Sequence, residues 1–120
     1  MPLARVALVA LAGSIGAVAR YGIGSLIGVR SFPWATLGIN VAGSLALGLV
    51  LGGPAARWSA TTTTAVAVGF LGAFTTFSTF AFEATALVRD DRAGTALAYV
   101  ASSLLLGLGA SALGFVIARP

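Results

Sequence analysis

Four long apolar stretches, parted by short polar breaks, make up almost the whole chain. They lie near Leu3–Val29, Pro33–Gly53, Ala60–Val88 and Gly94–Ala118. Each reaches the roughly 20 apolar residues that a helix needs to cross about 30 Å of hydrocarbon. The punctuation between them is compact: Arg30–Phe32 leads into Pro33, Gly52-Gly53-Pro54 ends the second stretch, and Arg89-Asp90-Asp91-Arg92 separates the third from the fourth. Strands of a spanning barrel would alternate polar and apolar residues. Runs such as Val6–Ala19 do not alternate, so the pattern predicts helices. The expected fold is all-α and integral to a membrane, one domain over residues 1–120 with four transmembrane helices. Arg5 followed by an apolar run and small residues around Ala17 and Ala19 also fits a secretory leader. The run continues past Arg20 and further spans follow, which favours a first transmembrane helix.

Composition strengthens this reading. The chain is 58% hydrophobic and 8% charged, with a mean hydropathy of +1.02, outside the range of a soluble domain. It has neither cysteine nor histidine. Disulfides, thiolate metal sites and imidazole proton shuttles are therefore unavailable. Serine and threonine without a neighbouring base are not activated nucleophiles, so no enzyme is expected. The net charge of +4 comes from arginines dispersed among helix ends. Such charges suit lipid headgroups and topology rather than nucleic acid.

Orientation in a bilayer follows the excess of Lys and Arg on the cytoplasmic side. Arg5, Arg57 and Arg119 fall on the side of the N-terminus, and Arg30, Arg89 and Arg92 on the other, while Arg20 lies inside the first span. The tally is balanced. A chain without bias can insert both ways, and opposed copies can then pair as an antiparallel dual-topology homodimer. Chance alone also gives such a balance in so small a sample, but the thinness of a four-helix bundle favours a partner.

Two polar stripes follow from spacing. Thr36, Asn40, Ser44, Gly48 and Gly52 recur every four residues on the second span, and Tyr99, Ser103, Gly107 and Ser111 do so on the fourth. For Ser44, Gly48, Gly52 and Gly107 helix packing is the favoured reading; Gly24 and Gly28, also four apart, allow close helix approach, but such spacing is common among 16 glycines. Asn40 and Tyr99 are different. An amide or phenol left unpaired in hydrocarbon is unfavourable by several kcal/mol, so both are expected to face protein or water. Trp34 and Trp58 sit at span ends, where indole rings anchor in the headgroup zone.

The third span departs most from a lipid-facing helix. Residues 69 to 82 read G-F-L-G-A-F-T-T-F-S-T-F-A-F and interleave Thr75, Thr76, Ser78 and Thr79 with most of the chain's phenylalanines. Glycines and β-branched residues over Gly72–Thr76 weaken helix propensity in mid-span. A break there frees carbonyls that need a ligand or partner. Phe77 and Phe80 share a helix face. Their ring edges carry partial positive charge and can meet an anion, although aromatic packing alone also explains the pair. Intramembrane ionisable residues mark sites by default. Arg20 cannot release its proton, and so attracts anions, pairs with a carboxylate or snorkels. Glu83 lies near the end of the third span, where it can pair with Arg20 or cap a loop. The neutral donors Asn40, Thr75, Thr76, Ser78, Thr79, Tyr99, Ser103 and Ser111 can replace an anion's hydration shell.

Three blocks carry a resemblance: G-S-I-G-A-V-A-R-Y at 13 to 21, P-W-A-T-L-G-I-N-V-A-G-S at 33 to 44, and G-F-L-G-A-F-T-T-F-S-T-F at 69 to 80. Together with length and span number, they make the chain similar to the Fluc, or CrcB, fluoride channels over nearly all its length. The resemblance implies an antiparallel dual-topology homodimer in the inner (plasma) membrane. It also implies passive export of fluoride that rejects chloride and gives fluoride resistance. Phe77 and Phe80 would then be ring-edge fluoride contacts and Asn40 a pore amide, with Ser78 and Thr79 as adjacent donors. The backbone carbonyls of Gly72 and Thr75 would hold a structural sodium ion on the dimer axis. Tyr99, Ser103 and Ser111 resemble a polar track and Arg20 a vestibule arginine. Gly107 stands in that track where a hydroxyl is expected.

A proton-coupled exporter resembling the small multidrug transporters, also short dual-topology dimers, is the alternative. That chemistry needs a mid-membrane carboxylate on the first span, which has none. A membrane subunit that only assembles would leave Asn40, Arg20 and the clustered hydroxyls unexplained.

Overall fold

The computed structural model describes residues 1–120 and is helical throughout. Its elements are α1 (Leu3–Ile27), α2 (Trp34–Gly52), a short 3-10 turn (Pro54–Arg57), α3 (Ala60–Thr64), a π-helical stretch (Ala65–Leu71), α4 (Gly72–Phe74), α5 (Phe77–Arg89) and α6 (Ala93–Ala118). Four helical spans are long and apolar enough to cross a membrane; the third runs from Ala60 to Arg89 and contains α3 to α5.

The span ends have local causes. α1 stops at Ile27, short of the expected Val29. Gly28 adopts φ 73°, which a glycine reaches without a Cβ penalty, and returns its N–H to the Gly24 carbonyl. α2 begins directly after Pro33, whose ring cannot continue a helix backwards. α3 starts where the Ser59 hydroxyl accepts the Thr62 N–H at 3.1 Å.

The third span is composite. The π-helical turns over Ala65–Leu71 were not expected from sequence. The break falls within the anticipated stretch but only at its end: Gly72 remains helical, and Thr75 (φ −82°, ψ 159°) and Thr76 (φ −150°, ψ 119°) are extended. The helix then restarts at Phe77 with Thr76 as its cap.

Close backbone approach holds the spans together. A Cβ on Gly16 would collide with the Phe70 carbonyl, and one on Gly69 would lie 3.1 Å from the Val9 carbonyl, so α1 seats directly on the π-helical stretch. α2 and α6 form the most extensive pair in the chain. They run parallel in a fixed register, with Ser44 meeting Gly107, Gly48 the Ser111 carbonyl, and Gly52 the backbone of Phe115. Gly48 and Gly52 thus confirm the packing reading, whereas Gly24 and Gly28 meet nothing in this chain.

Only 12 of 120 residues are buried in the isolated chain. That leaves large side chains such as Leu11, Ile15, Leu105 and Leu108 on the outside, as a lipid-facing surface requires. The one compact cluster joins Leu37, Leu87, Ala96 and Tyr99, with Phe32, Val41, Phe80 and Ala84 against it.

Candidate functional site

The break in the third span organises the polar groups. At its centre Asn40, one turn and a half into α2, spends its whole amide on one residue. Its Nδ2 donates to the Thr76 carbonyl at 3.0 Å and its Oδ1 accepts the Thr76 N–H at 2.8 Å. The amide therefore does for the extended backbone what a neighbouring strand would do. Gly43, one turn along α2, leaves the room that the Thr75 methyl occupies.

Arg20 acts from the opposite side. Its Nε donates to the Ala73 carbonyl at 3.1 Å, tying α1 to the last turn before the break. This corrects the expected pairing of Arg20 with Glu83. Glu83 is instead held by α6, where the Tyr99 hydroxyl donates to its Oε1 at 2.9 Å. A polar chain thus runs from α6 to α5 on one flank of the break, and from α1 to α4 on the other.

The carbonyls just before the break lose their helical donors. The N–H of Thr76, due to Gly72 in a continuous helix, goes to Asn40, and that of Thr79, due to Thr75, goes to the Thr76 hydroxyl at 3.3 Å. Thr75 keeps its own N–H and hydroxyl on the Leu71 carbonyl. The Gly72 and Thr75 carbonyls are thus among the oxygen atoms that the break frees, while the Ala73 carbonyl is taken by Arg20; carbonyl oxygen is a donor that hard cations accept.

The aromatic rings lie just beyond. Phe77 and Phe80 stand 5.7 Å apart with their planes tilted by 58°. Phe80 presents itself to Tyr99 at 5.1 Å in an edge arrangement, and Phe32 meets the other side of Tyr99 at 5.5 Å. Phe77 is 78% exposed on the single chain while Tyr99 is fully buried. One face of the aromatic group is thus locked, and the other is open.

Two hollows flank the break and share Thr76. A mouth of about 610 Å³ is lined by Arg20, Thr36, Thr76, Thr79 and Glu83 among others. The second, of about 260 Å³, is lined by Asn40, Ser44, Gly72, Thr75, Thr76 and Phe77. Asn40, Thr79, Phe77, Phe80, Tyr99, Arg20, Glu83, Gly72 and Thr75 are thereby brought into one region. Ser78 is exposed on the outer side of α5, and the Ser103 hydroxyl is buried without a hydrogen-bond partner. Ser111 stands apart, in an apolar groove with Leu47, Leu51 and Phe115. Thr76 is the residue whose weight the sequence did not reveal. Its position three before Thr79 is a helix-start spacing, and that was the available clue.

Fold and site together define a small multi-pass helical membrane protein whose polar groups converge on a mid-span helix break. A family model described as CrcB-like protein, Camphor Resistance (CrcB), matches residues 7–115, and the chain belongs to that family. Among its relatives, the fluoride-specific ion channel FluC 2 of Rhodococcus jostii is 47% identical over 111 residues, covering 92% of this chain and 95% of that protein. The fluoride-specific ion channel FluC of Rhodospirillum centenum is 42% identical over 117 residues, and that of Thermus thermophilus 42% over 115, each covering 92% of both chains.

Proposed function

We propose that this protein is a passive, fluoride-selective channel. The observation that carries the reading is the convergence at the break: Asn40, Ser44, Thr75, Thr76 and Phe77 line one hollow that holds no acid, with Phe80 tilted against Phe77 beside it. Fluoride holds its water tightly, so a path must offer replacement donors at each step. Thr79 and Ser103 supply hydroxyls, Ser78 joins them from the outer side of α5 where the second copy packs, and Tyr99, its hydroxyl held by Glu83, walls the path; Phe77 and Phe80 supply ring edges, and Arg20 draws anions into the mouth. Asn40 shapes the path by holding Thr76. The start of α5 points its partial positive charge at the same place. Ser111 continues the line of hydroxyls towards the far end.

The family membership and the names of the relatives support this reading, and the balanced arginine tally supports a dual-topology assembly. We assign the working unit to an antiparallel dual-topology homodimer in the inner membrane, in which the open face of Phe77 is completed by the second copy. The carbonyls of Gly72 and Thr75 would hold a sodium ion at the dimer axis. Bound there, the ion supplies positive charge that satisfies the freed carbonyls.

Hydrogen fluoride enters cells as a neutral acid and ionises inside. A negative interior then drives the anion out at about 2.3 kcal/mol per charge per 100 mV, so no pump is needed. The proton-coupled exporter is not favoured, because α1 carries no acid and Glu83 is engaged by Tyr99.

Anion efflux from liposomes carrying the purified protein, under a potassium-valinomycin potential, tests the reading. Rapid fluoride efflux without chloride, unchanged by a pH gradient, is expected. Proton-dependent flux would transfer the case to the exporter.

A further inference from the structure

The line of hydroxyls on α6 has a gap at Gly107, and the structure shows what stands opposite it. Ser44 of α2 faces that position in the same register that sets Gly48 against Ser111, with its Oγ 3.9 Å from where a Cβ on residue 107 would sit. No other heavy atom approaches that point as closely, so Gly107 is a small open space and not a tight backbone crossing like Gly48 or Gly114.

The Ser44 hydroxyl is also free. Helical hydroxyls in apolar surroundings usually turn back onto the carbonyl four residues earlier. Ser14, Thr64 and Thr85 do so at 2.8, 2.8 and 2.9 Å; Ser44 does not. It lines the hollow shared by Asn40, Thr75, Thr76 and Phe77. One turn back on α6, the buried Ser103 hydroxyl is likewise without a partner. Two unpaired hydroxyls thus stand on facing helices, Ser44 at the hollow beside the break and opposite Gly107, and Ser103 one turn from Gly107.

We infer that Ser44 is a further residue of the anion path, supplying from α2 the hydroxyl that Gly107 withholds from α6. The path crosses from one helix to the other at this level. The inference rests on the channel reading given above, and it assigns to Ser44 a positioning and donor role that the packing reading does not contain.

Fluoride efflux from liposomes is to be compared for wild type, Ser44→Ala and the double variant Ser44→Ala/Gly107→Ser, with elution as a single species as the check on assembly. Ser44→Ala is expected to elute normally and to slow fluoride efflux about tenfold or more, the effect of one lost hydrogen bond to an ion. The double variant, which returns a hydroxyl to the same space from the other helix, is expected to recover most of that loss. Wild-type rates in Ser44→Ala, or a double variant as slow as the single one, overturn the assignment. A wild type that assembles but passes no fluoride overturns the channel reading itself, and this one with it.

Discussion

Asn40 bonds twice to a single residue of another span, and that pairing is what lets an extended dipeptide persist at membrane depth. Water is not at hand there to satisfy the Thr76 N–H and carbonyl. Asn40→Ala leaves both unpaired, at about 1–3 kcal/mol for each orphaned group. A fall in thermal stability of the detergent-solubilised protein is expected, together with loss of fluoride flux. Asn40→Asp keeps the acceptor but loses the donor to the Thr76 carbonyl, and thermal unfolding should rank it between wild type and Asn40→Ala. The phenylalanines answer a different question. Phe77→Ile and Phe80→Ile keep apolar volume while removing the ring edge, so both variants are expected to assemble and to lose fluoride conduction. Normal efflux from either would remove the ring-edge role. The residue types were legible in the sequence, and so was the oddity of their mixture. Asn40 was expected as a pore amide, but its partner could not be read from the chain, because Thr76 lies 36 residues away.

Glycine is used at the element scale for contact more than for flexibility. Gly48 and Gly114 lie against backbone of the facing helix, Gly48 against Ser111 and Gly114 against Leu45, so neither has room for a methyl group. Gly109 on the same α6 meets nothing within 4 Å. Gly48→Ala and Gly114→Ala are therefore expected to separate α2 from α6 and to lower thermal stability, whereas Gly109→Ala should hold or gain about 0.5–1 kcal/mol from helix propensity. Differential scanning of the three variants distinguishes these outcomes. The four-residue spacing of both stripes was plain from sequence. It could not say which glycines were contacts, since that depends on the register between two helices more than forty residues apart in the chain. The π-helical stretch Ala65–Leu71 was not legible either: it is where Gly16 seats on Phe70, a tertiary contact with no local signature.

The whole molecule exposes an apolar exterior and an open aromatic face at Phe77, as expected of one copy of an assembly in lipid. If the copies insert both ways, a membrane-impermeant thiol reagent applied to intact cells should label a cysteine introduced at Ala118 in about half the molecules, and the remainder only after permeabilisation. Labelling confined to one side would sink the dual-topology proposal. Hydropathy period and length determined the number of spans and the all-helical class, because in hydrocarbon each backbone must satisfy itself along its own segment. The sequence also determined where the third helix is weak, since propensity is a local property. Only the tertiary structure decided that the break sits at Thr75–Thr76, that Asn40 and Arg20 hold it from two sides, that Glu83 belongs to Tyr99, and that Ser44 faces Gly107. These are pairings between spans. A transmembrane helix satisfies its backbone alone but must find side-chain partners in whichever helix packs beside it, and periodicity along one segment carries no record of that choice.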